Sequence, residues 1–168
     1  QGVGLASARA GNVIGGGDWA DDRLIPDILR SFEKNESVVV RNPKATRPWQ
    51  HVLEPLSGYL VLIQKLYEDQ KEYAEGWNFG PNEKDVKAVD WILDKMIFKW
   101  PGASWKLDQN SSPHEAGFLK LDITKAESKL GWKPVWELSY TLEKIIAWHK
   151  AWLDKEDMQA ICLAEIEE

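Results

Sequence analysis

A run of small and apolar residues near the start of the chain constrains its fold most. Residues 3–14 have Arg9 and Asn12 as their strongly polar side chains, and the glycines Gly15, Gly16 and Gly17 follow directly. Such a run predicts a buried strand that ends in a loop. Buried strands without alternation are typical of parallel sheets, whose connections are helices. The opening therefore favours an α/β fold.

Helical and strand patterns alternate along the rest of the chain. Apolar residues at helical spacing predict helices over residues 24–32, 55–67, 89–97 and 142–153, and Pro55 suits the first turn of the second. Short apolar runs predict strands at 38–40, 49–52, 76–81 and 105–107, with a loop over 43–48. Asp122 predicts the cap of a further helix that stops at Gly131, and the acidic tail 154–168 is expected to fray.

Composition excludes several classes of protein. The net charge of −6, with scattered basic residues, gives no field for a polyanion, so nucleic acid is not expected as a partner. The apolar runs are too short to span a membrane. One cysteine, Cys162, cannot form an internal disulfide, and neither the histidines nor the cysteine are spaced as a metal site. The start at Gln1 is expected to be internal to a longer chain.

The residues alone carry few catalytic signals. The glycines from Gly11 to Gly17 do not form the G-x-G-x-x-G pattern, and no acidic residue follows a second strand at the required distance. The sequence therefore predicts no self-contained dinucleotide site.

Several segments, taken in order, resemble the C-terminal half of the extended short-chain dehydrogenase/reductase family of nucleotide-sugar enzymes. They are Ala-Arg-Ala-Gly-Asn-Val-Ile-Gly-Gly-Gly-Asp-Trp (8–19), Arg-Leu-Ile-Pro-Asp (23–27), Arg-Pro-Trp-Gln-His-Val (47–52), Trp-Asn-Phe-Gly (77–80) and Leu-Gly-Trp-Lys-Pro (130–134). Within the family, the Gly-Gly-Asp-Trp and Arg-Pro-Trp-Gln-His-Val-Leu-Glu-Pro stretches are most similar to the 4,6-dehydratases that act on CDP-glucose. The glycines 15–17 depart from the Tyr-Gly-Pro of many relatives, which puts contacts near the sugar and nicotinamide in doubt.

The resemblance implies the C-terminal substrate-binding part of an extended Rossmann-type enzyme, with most of the NAD-binding sheet absent. Residues 1–22 would end the Rossmann-type core, 23–153 would bind substrate with one returning helix near 55–70, and 154–168 would be a tail. The family's NAD turn and its catalytic Tyr-x-x-x-Lys pair lie upstream. Tyr140 and Lys144 have that spacing, but their position in the last helix favours a helix surface. No catalytic residue is therefore expected here.

The resemblance also implies a reaction and a set of substrate-binding residues. In the full enzyme, NAD takes a hydride from C4 of the glucose, water is lost across C5 and C6, and the hydride returns to C6. This chain would bind the nucleotide-sugar through seven side chains: Asn12, Arg23, Arg41, Arg47, Asn78, His114 and Glu115. Arginine and amide groups suit a diphosphate because they give charge-assisted or donor hydrogen bonds.

Other interpretations of these residues and of the chain remain open. Arg47 could be a solvated loop residue, and Asn78 could organise the turn at Gly80. The enzyme could be a dTDP-, UDP- or GDP-sugar dehydratase or epimerase, the chain could be a non-catalytic nucleotide-sugar-binding module, or it could be a fragment that binds nothing. The resemblance implies a cytoplasmic homodimer in dideoxysugar or O-antigen precursor synthesis. The chain by itself is expected to lack activity and to self-associate.

Overall fold

The fold, taken from a computed structural model, alternates short strands and helices over residues 3–109 and 118–168, the part of the chain that the structure describes. The strands are β1 (Ser7–Ala10), β2 (Asn12–Ile14), β3 (Val38–Val40), β4 (Thr46–His51), β5 (Gly76–Phe79), β6 (Val86–Ala88) and β7 (Trp105–Leu107). The helices are α1 (Leu24–Glu33), α2 (Leu53–Glu68), α3 (Gln70–Tyr73), α4 (Val89–Phe98), α5 (Leu138–Leu153) and α6 (Met158–Glu167). The predicted α/β class is confirmed.

The strands form three small sheets in the described part of the chain. β1 pairs in parallel with β5, and β3 pairs in parallel with β7. In the third sheet, β4 is central, parallel to β2 and antiparallel to β6. A short 3-10 turn, Glu83–Asp85, precedes β6, and a π-helical turn, Ala126–Leu130, ends at Gly131 with a left-handed φ of 67°. The predicted Asp122 cap is confirmed, since its carboxylate accepts from the N–H of Thr124.

The predicted opening strand is divided in two. Gly11 separates β1 from β2 and lets the chain pass from β5 to β4, because a Cβ there would lie 2.4 Å from the carbonyl oxygen of Pro48. The expectation of burial was wrong for β1, whose Ser7, Ala8 and Arg9 are exposed. A small-residue pattern indicates a strand but does not say what covers it.

The larger core lies between α1, α4, α5 and the sheet of β2 and β4. Its most buried members, all at most 2% exposed, are Ile28, Phe32, Ile92, Leu93, Met96, Leu138, Leu142 and Ile145. The helical spacing in α1, α4 and α5 predicted these faces. Burying a side chain of this size stabilises a fold by about 1.5–3 kcal/mol, so this cluster holds the third sheet in place.

A smaller core lies around β5, where Phe79 and Trp77 pack with Leu62 of α2. The helix predicted near 55–67 is confirmed as α2, but its apolar stripe does not face this core. Leu60, Ile63 and Tyr67 are 68%, 62% and 90% exposed. The buried face instead contains Pro55, Gly58 and Leu62, because Gly58 lets the Phe79 ring contact the helix backbone.

Several elements differ from the sequence predictions, including α3 and β6, which were not predicted, and β5, which ends at Phe79. β4 begins at Thr46, inside the predicted loop, and includes Pro48. The tail predicted to fray forms α6 instead. The Asp157 carboxylate accepts from the N–H groups of Gln159 and Ala160 and so caps this helix.

Candidate functional site

A cleft of about 570 Å³ opens between α1, β3 and the sheet of β2 and β4. Its volume lies within the range of small-molecule sites. Four of the seven predicted binding residues line it together: Asn12, Arg23, Arg41 and Arg47. They come from four separate segments of the chain, so the fold and not the sequence order brings them together.

The floor of the cleft is built by the pairing of β2 with β4. Asn12 is directly opposite Trp49 in the parallel register, and Arg47 lies two residues before Trp49 on the same strand. Paired residues, and residues two apart, share one face of a sheet. Asn12, Arg47 and Trp49 therefore lie on the face that lines the cleft. The Arg47 Nη1 also donates to the carbonyl of Thr46 at 2.9 Å.

The rim of the cleft carries the other two arginines. Arg23 is the N-cap residue of α1, where the helix dipole favours anions. Arg41 directly follows β3, and both arginines are exposed. With Arg47 on the floor, three arginines line the cleft.

Aromatic residues of α5 support the glycine-rich loop that leads to the rim. A Cβ on Gly16 would lie 2.3 Å from the ring of Trp148, so this glycine permits a close approach of the loop to α5. The Trp19 ring lies 4.5 Å from that of Trp152 and 5.7 Å from that of His149 between centroids. The Arg30 guanidinium donates to the Trp19 carbonyl at 3.2 Å. The glycine-rich loop therefore contacts α5 through Trp148 and Trp152 and contacts α1 through Arg30.

His149 connects this aromatic cluster to the end of α1. Its ring is buried, and its Nε2 lies 2.6 Å from Oε1 of Glu33. A buried imidazole needs such a partner. The histidine therefore has a structural contact and does not face the cleft.

The remaining predicted site residues lie elsewhere or cannot be placed. Asn78 does not line the cleft, and its amide donates to the Asp122 carbonyl at 3.0 Å. His114 and Glu115 lie outside the described residues. A second cleft of about 440 Å³, lined among others by Asn82, Lys120 and Asp122, opens beside the segment that follows them.

Sequence reasoning missed four polar residues of the main cleft: Asp18, Asp22, Asp27 and Asn42. Asn42 follows Arg41, and Asp22 precedes Arg23, and both line the cleft. Asp22 lies one residue before Arg23, the N-cap residue of α1; this helix has no side-chain cap, and Asp22 has a left-handed φ of 57°. An aspartate before a helix usually indicates a cap, so the pattern gave no signal for a cleft residue.

The histidine at the end of β4, His51, has a strongly lowered pKa. Burial of the His51 ring, with a smaller contribution from the positive charge of Lys144, lowers its pKa from 6.5 to about 4. The ring is 2% exposed and packs against Trp136, with 4.7 Å between centroids. His51 is therefore neutral at physiological pH.

The described residues do not fit the cradle of a dinucleotide. The glycine-rich loop packs against Val52 and Trp148, and α1 begins only at Leu24, so no helix N-terminus directly follows the glycines. Within residues 3–109 and 118–168, no three His, Cys, Asp or Glu side chains come together as metal ligands. In the same part of the chain, no helix is long and apolar enough to cross a membrane.

Comparison with known proteins confirms the predicted resemblance. No protein-family model matches the chain. It is 60% identical, over 167 residues, to the CDP-glucose 4,6-dehydratase of Salmonella typhimurium. The match covers 99% of this chain and 46% of that protein, in its C-terminal part. The chain thus spans about half the length of this curated relative.

Solved structures with the same fold are nucleotide-sugar enzymes of low sequence identity. UDP-glucuronic acid 4-epimerase from Bacillus cereus, in complex with UDP-glucuronic acid and NAD, matches with a TM-score of 0.72 and 20% identity, over 89% of this chain and 46% of that one. An NAD-dependent NDP-hexosamine 5,6-dehydratase of tunicamycin biosynthesis matches with a TM-score of 0.69 and 15% identity, over 93% and 47%. These likenesses show the fold of the C-terminal part of extended Rossmann-type enzymes.

Proposed function

We propose that this chain, a homologue of the C-terminal part of a CDP-glucose 4,6-dehydratase, supplies the nucleotide-sugar-binding part of such an enzyme. The single observation that carries the proposal is the cleft that brings Asn12, Arg23, Arg41 and Arg47 together. The Salmonella relative is a CDP-glucose 4,6-dehydratase, and three arginines lining one cleft complement the dianionic diphosphate of a CDP-sugar.

The diphosphate lies over the floor of the cleft in this account. Arg47 is half-buried there, so its charge is less screened than that of an exposed arginine. The Asn12 amide donates from the neighbouring strand. Arg23 and the N-terminus of α1 add positive potential at the rim. The chain thereby orients the substrate, and orientation is a large share of catalysis.

NAD and the proton-transfer residues belong, in this proposal, to the part of the relatives that this chain does not match. The packing of the glycine-rich loop supports this assignment. The loop packs on Trp148 and Val52, and this leaves no cradle for a dinucleotide. The hydride chemistry is supplied by NAD when bound. The chain by itself is then expected to bind the nucleotide-sugar without converting it to the 4-keto-6-deoxy product.

An exposed apolar face marks where that other part packs. One side of α2, the returning helix of the proposed arrangement, carries the exposed side chains of Leu56, Leu60, Ile63 and Tyr67.

The strand β1 has an open edge, because within the described residues it pairs with β5 alone. Ser7 and Gly11 donate their N–H groups toward β5, so the polar backbone groups of the alternate residues, Ala8 and Ala10, point the other way.

Activity measurements test whether conversion of the nucleotide-sugar needs both this chain and the N-terminal part of the relative. CDP-glucose and NAD are incubated with this chain alone, with the N-terminal part of the Salmonella relative alone, and with both together. We expect the 4-keto-6-deoxy product from the mixture and from neither part separately. Turnover by this chain alone would contradict the proposal, and turnover of UDP- or dTDP-glucose in preference to CDP-glucose would assign the chain to a sister enzyme.

A further inference from the structure

One carboxylate in the cleft has no role in binding a diphosphate. Asp22 lines the cleft and is exposed, and within residues 3–109 and 118–168 its side chain makes no hydrogen bond or ion pair. The two other carboxylates of the cleft differ from it. Asp27 pairs with Arg30, and Asp18 accepts from the N–H of Ala20 at 3.0 Å.

The backbone at Asp22 is held in an uncommon conformation. Its φ of 57° is in the left-handed region, which asparagine and aspartate tolerate better than other non-glycine residues. The next residue, Arg23, has an extended conformation and is the N-cap residue of α1, which begins at Leu24. The chain therefore turns sharply at Asp22, and both residues line the cleft.

Asp22 and Arg41 line the same cleft. They flank two elements that pack against each other, because α1 and β3 are in contact and are joined by residues 34–37. Asp22 precedes α1, and Arg41 with Asn42 follows β3. The cleft thus has an anionic acceptor, Asp22, among lining residues that include the cationic Arg41 and the amide Asn42. Asn12 and Arg47 are on the sheet that forms the floor.

A carboxylate repels a diphosphate and accepts hydrogen bonds, so the part of a ligand that suits Asp22 is a hydrogen-bond donor. Cytosine has such a donor in its exocyclic amino group, next to ring nitrogen and carbonyl acceptors that a guanidinium satisfies. Uracil has a carbonyl at the position of that amino group. We propose that Asp22, in the cleft that Arg41 also lines, selects a cytosine nucleotide by accepting a hydrogen bond from the base amino group; this inference rests on the proposed function.

The experiment titrates CDP and UDP into the 168-residue chain and its variants. D22N keeps the shape of the side chain and tolerates the positive φ, so the turn is retained. It removes the charge that strengthens the hydrogen bond and replaces one acceptor oxygen by an amide N–H donor, which suits the uracil carbonyl instead of the cytosine amino group. D21N is the matched control, because it removes the same charge one residue away, on a side chain that is 94% exposed and does not line the cleft. Differential scanning calorimetry confirms that both variants remain folded.

The unmodified chain is expected to bind CDP more tightly than UDP. In D22N, CDP binding weakens about tenfold, a typical discrimination for one base contact, and UDP binding is unchanged or improved. D21N keeps the original ratio. Equal weakening of both nucleotides in D22N would overturn the inference, since it would show that Asp22 contacts a hydroxyl group that both ligands share. A chain that binds neither nucleotide would contradict the proposed function itself, whereas selective binding that survives D22N contradicts only the inference.

Discussion

The Glu54 carboxylate accepts a hydrogen bond from the backbone N–H of Trp136, with 2.6 Å between Oε1 and the nitrogen. The N–H of Val135 donates to the same carboxylate at 3.0 Å. Glu54 is 5% exposed, so one buried side chain ties the first turn of α2 to the segment before α5. Both helices contact β4, the strand that carries Arg47 and Trp49.

Replacement of Glu54 by alanine is expected to destabilise the fold by about 1–3 kcal/mol. The variant removes the acceptor of two backbone donors; Val135 is exposed, so its N–H can bond to water, whereas Trp136 is half-buried, and an unsatisfied buried group costs about 1–3 kcal/mol. E54Q retains one acceptor oxygen and should lose less. Urea unfolding measures both against E72A, an exposed glutamate in α3. A loss for E54A no larger than that for E72A would contradict this role.

The contact of Gly16 with Trp148 makes a second prediction. In G16A the new Cβ must displace the indole ring or the loop, and such overpacking typically costs about 1–3 kcal/mol. G76A is the matched control, because its Cβ would meet only the Ser7 Oγ, at 3.4 Å. Thermal unfolding compares the two variants. Equal melting temperatures would show that the loop does not depend on this contact.

Burial of His51 predicts a pH-dependent stability. Its pKa of about 4 in the folded chain lies below the ordinary value of 6.5, so the unfolded chain binds more protons between these pH values. The stabilisation is complete above pH 6.5 and decreases as the pH falls toward 4, by about 3 kcal/mol in total.

The variant H51N isolates this contribution. Asparagine keeps an acceptor for the N–H of Leu53 and removes the titrating ring. Unfolding free energies measured at intervals from pH 7 to pH 4.5 should fall less steeply for H51N than for the unmodified chain. Carboxylates titrate in both proteins, so the difference between the two slopes reports His51. Identical slopes would contradict its low pKa.

The exposed stripe of α2 predicts self-association of the isolated chain. Leu60 and Ile63 are more than half exposed beside Tyr67, and an apolar face of this kind favours contact with another surface. Analytical ultracentrifugation should show species larger than one chain, which the double variant L60E/I63E reduces. K71E, on an exposed residue of α3, controls for the added charge. A chain that remains monomeric at all concentrations would contradict the prediction.

Helix spacing was enough to predict α1, α4 and α5, because one face of each helix packs on the same core. The same reasoning failed for α2, whose apolar stripe faces outward. Periodicity shows that a helix has an apolar side, but not which partner covers it. α6 was missed because its capping residue, Asp157, lies in an acidic run that is typical of a frayed tail.

The resemblance placed Asn12, Arg23, Arg41 and Arg47 in one site, although they are distant in sequence. No spacing rule would have brought them together, since the parallel pairing of β2 with β4 depends on residues far apart. Asp22 could not be predicted. Its importance depends on a backbone turn and on the return of β3 beside α1, neither of which leaves a local pattern.

Whether the cleft binds a CDP-sugar is tested by calorimetric titration of CDP-glucose into the chain, with dTDP-glucose and UDP-glucose as comparators. We expect selective binding of CDP-glucose. R47A should weaken this binding about tenfold or more, since a charge-assisted hydrogen bond contributes about 1.5–3 kcal/mol. R9A, an exposed arginine on β1 outside the cleft, should bind as the unmodified chain does. Absence of CDP-glucose binding, or equal binding by R47A, would contradict the account.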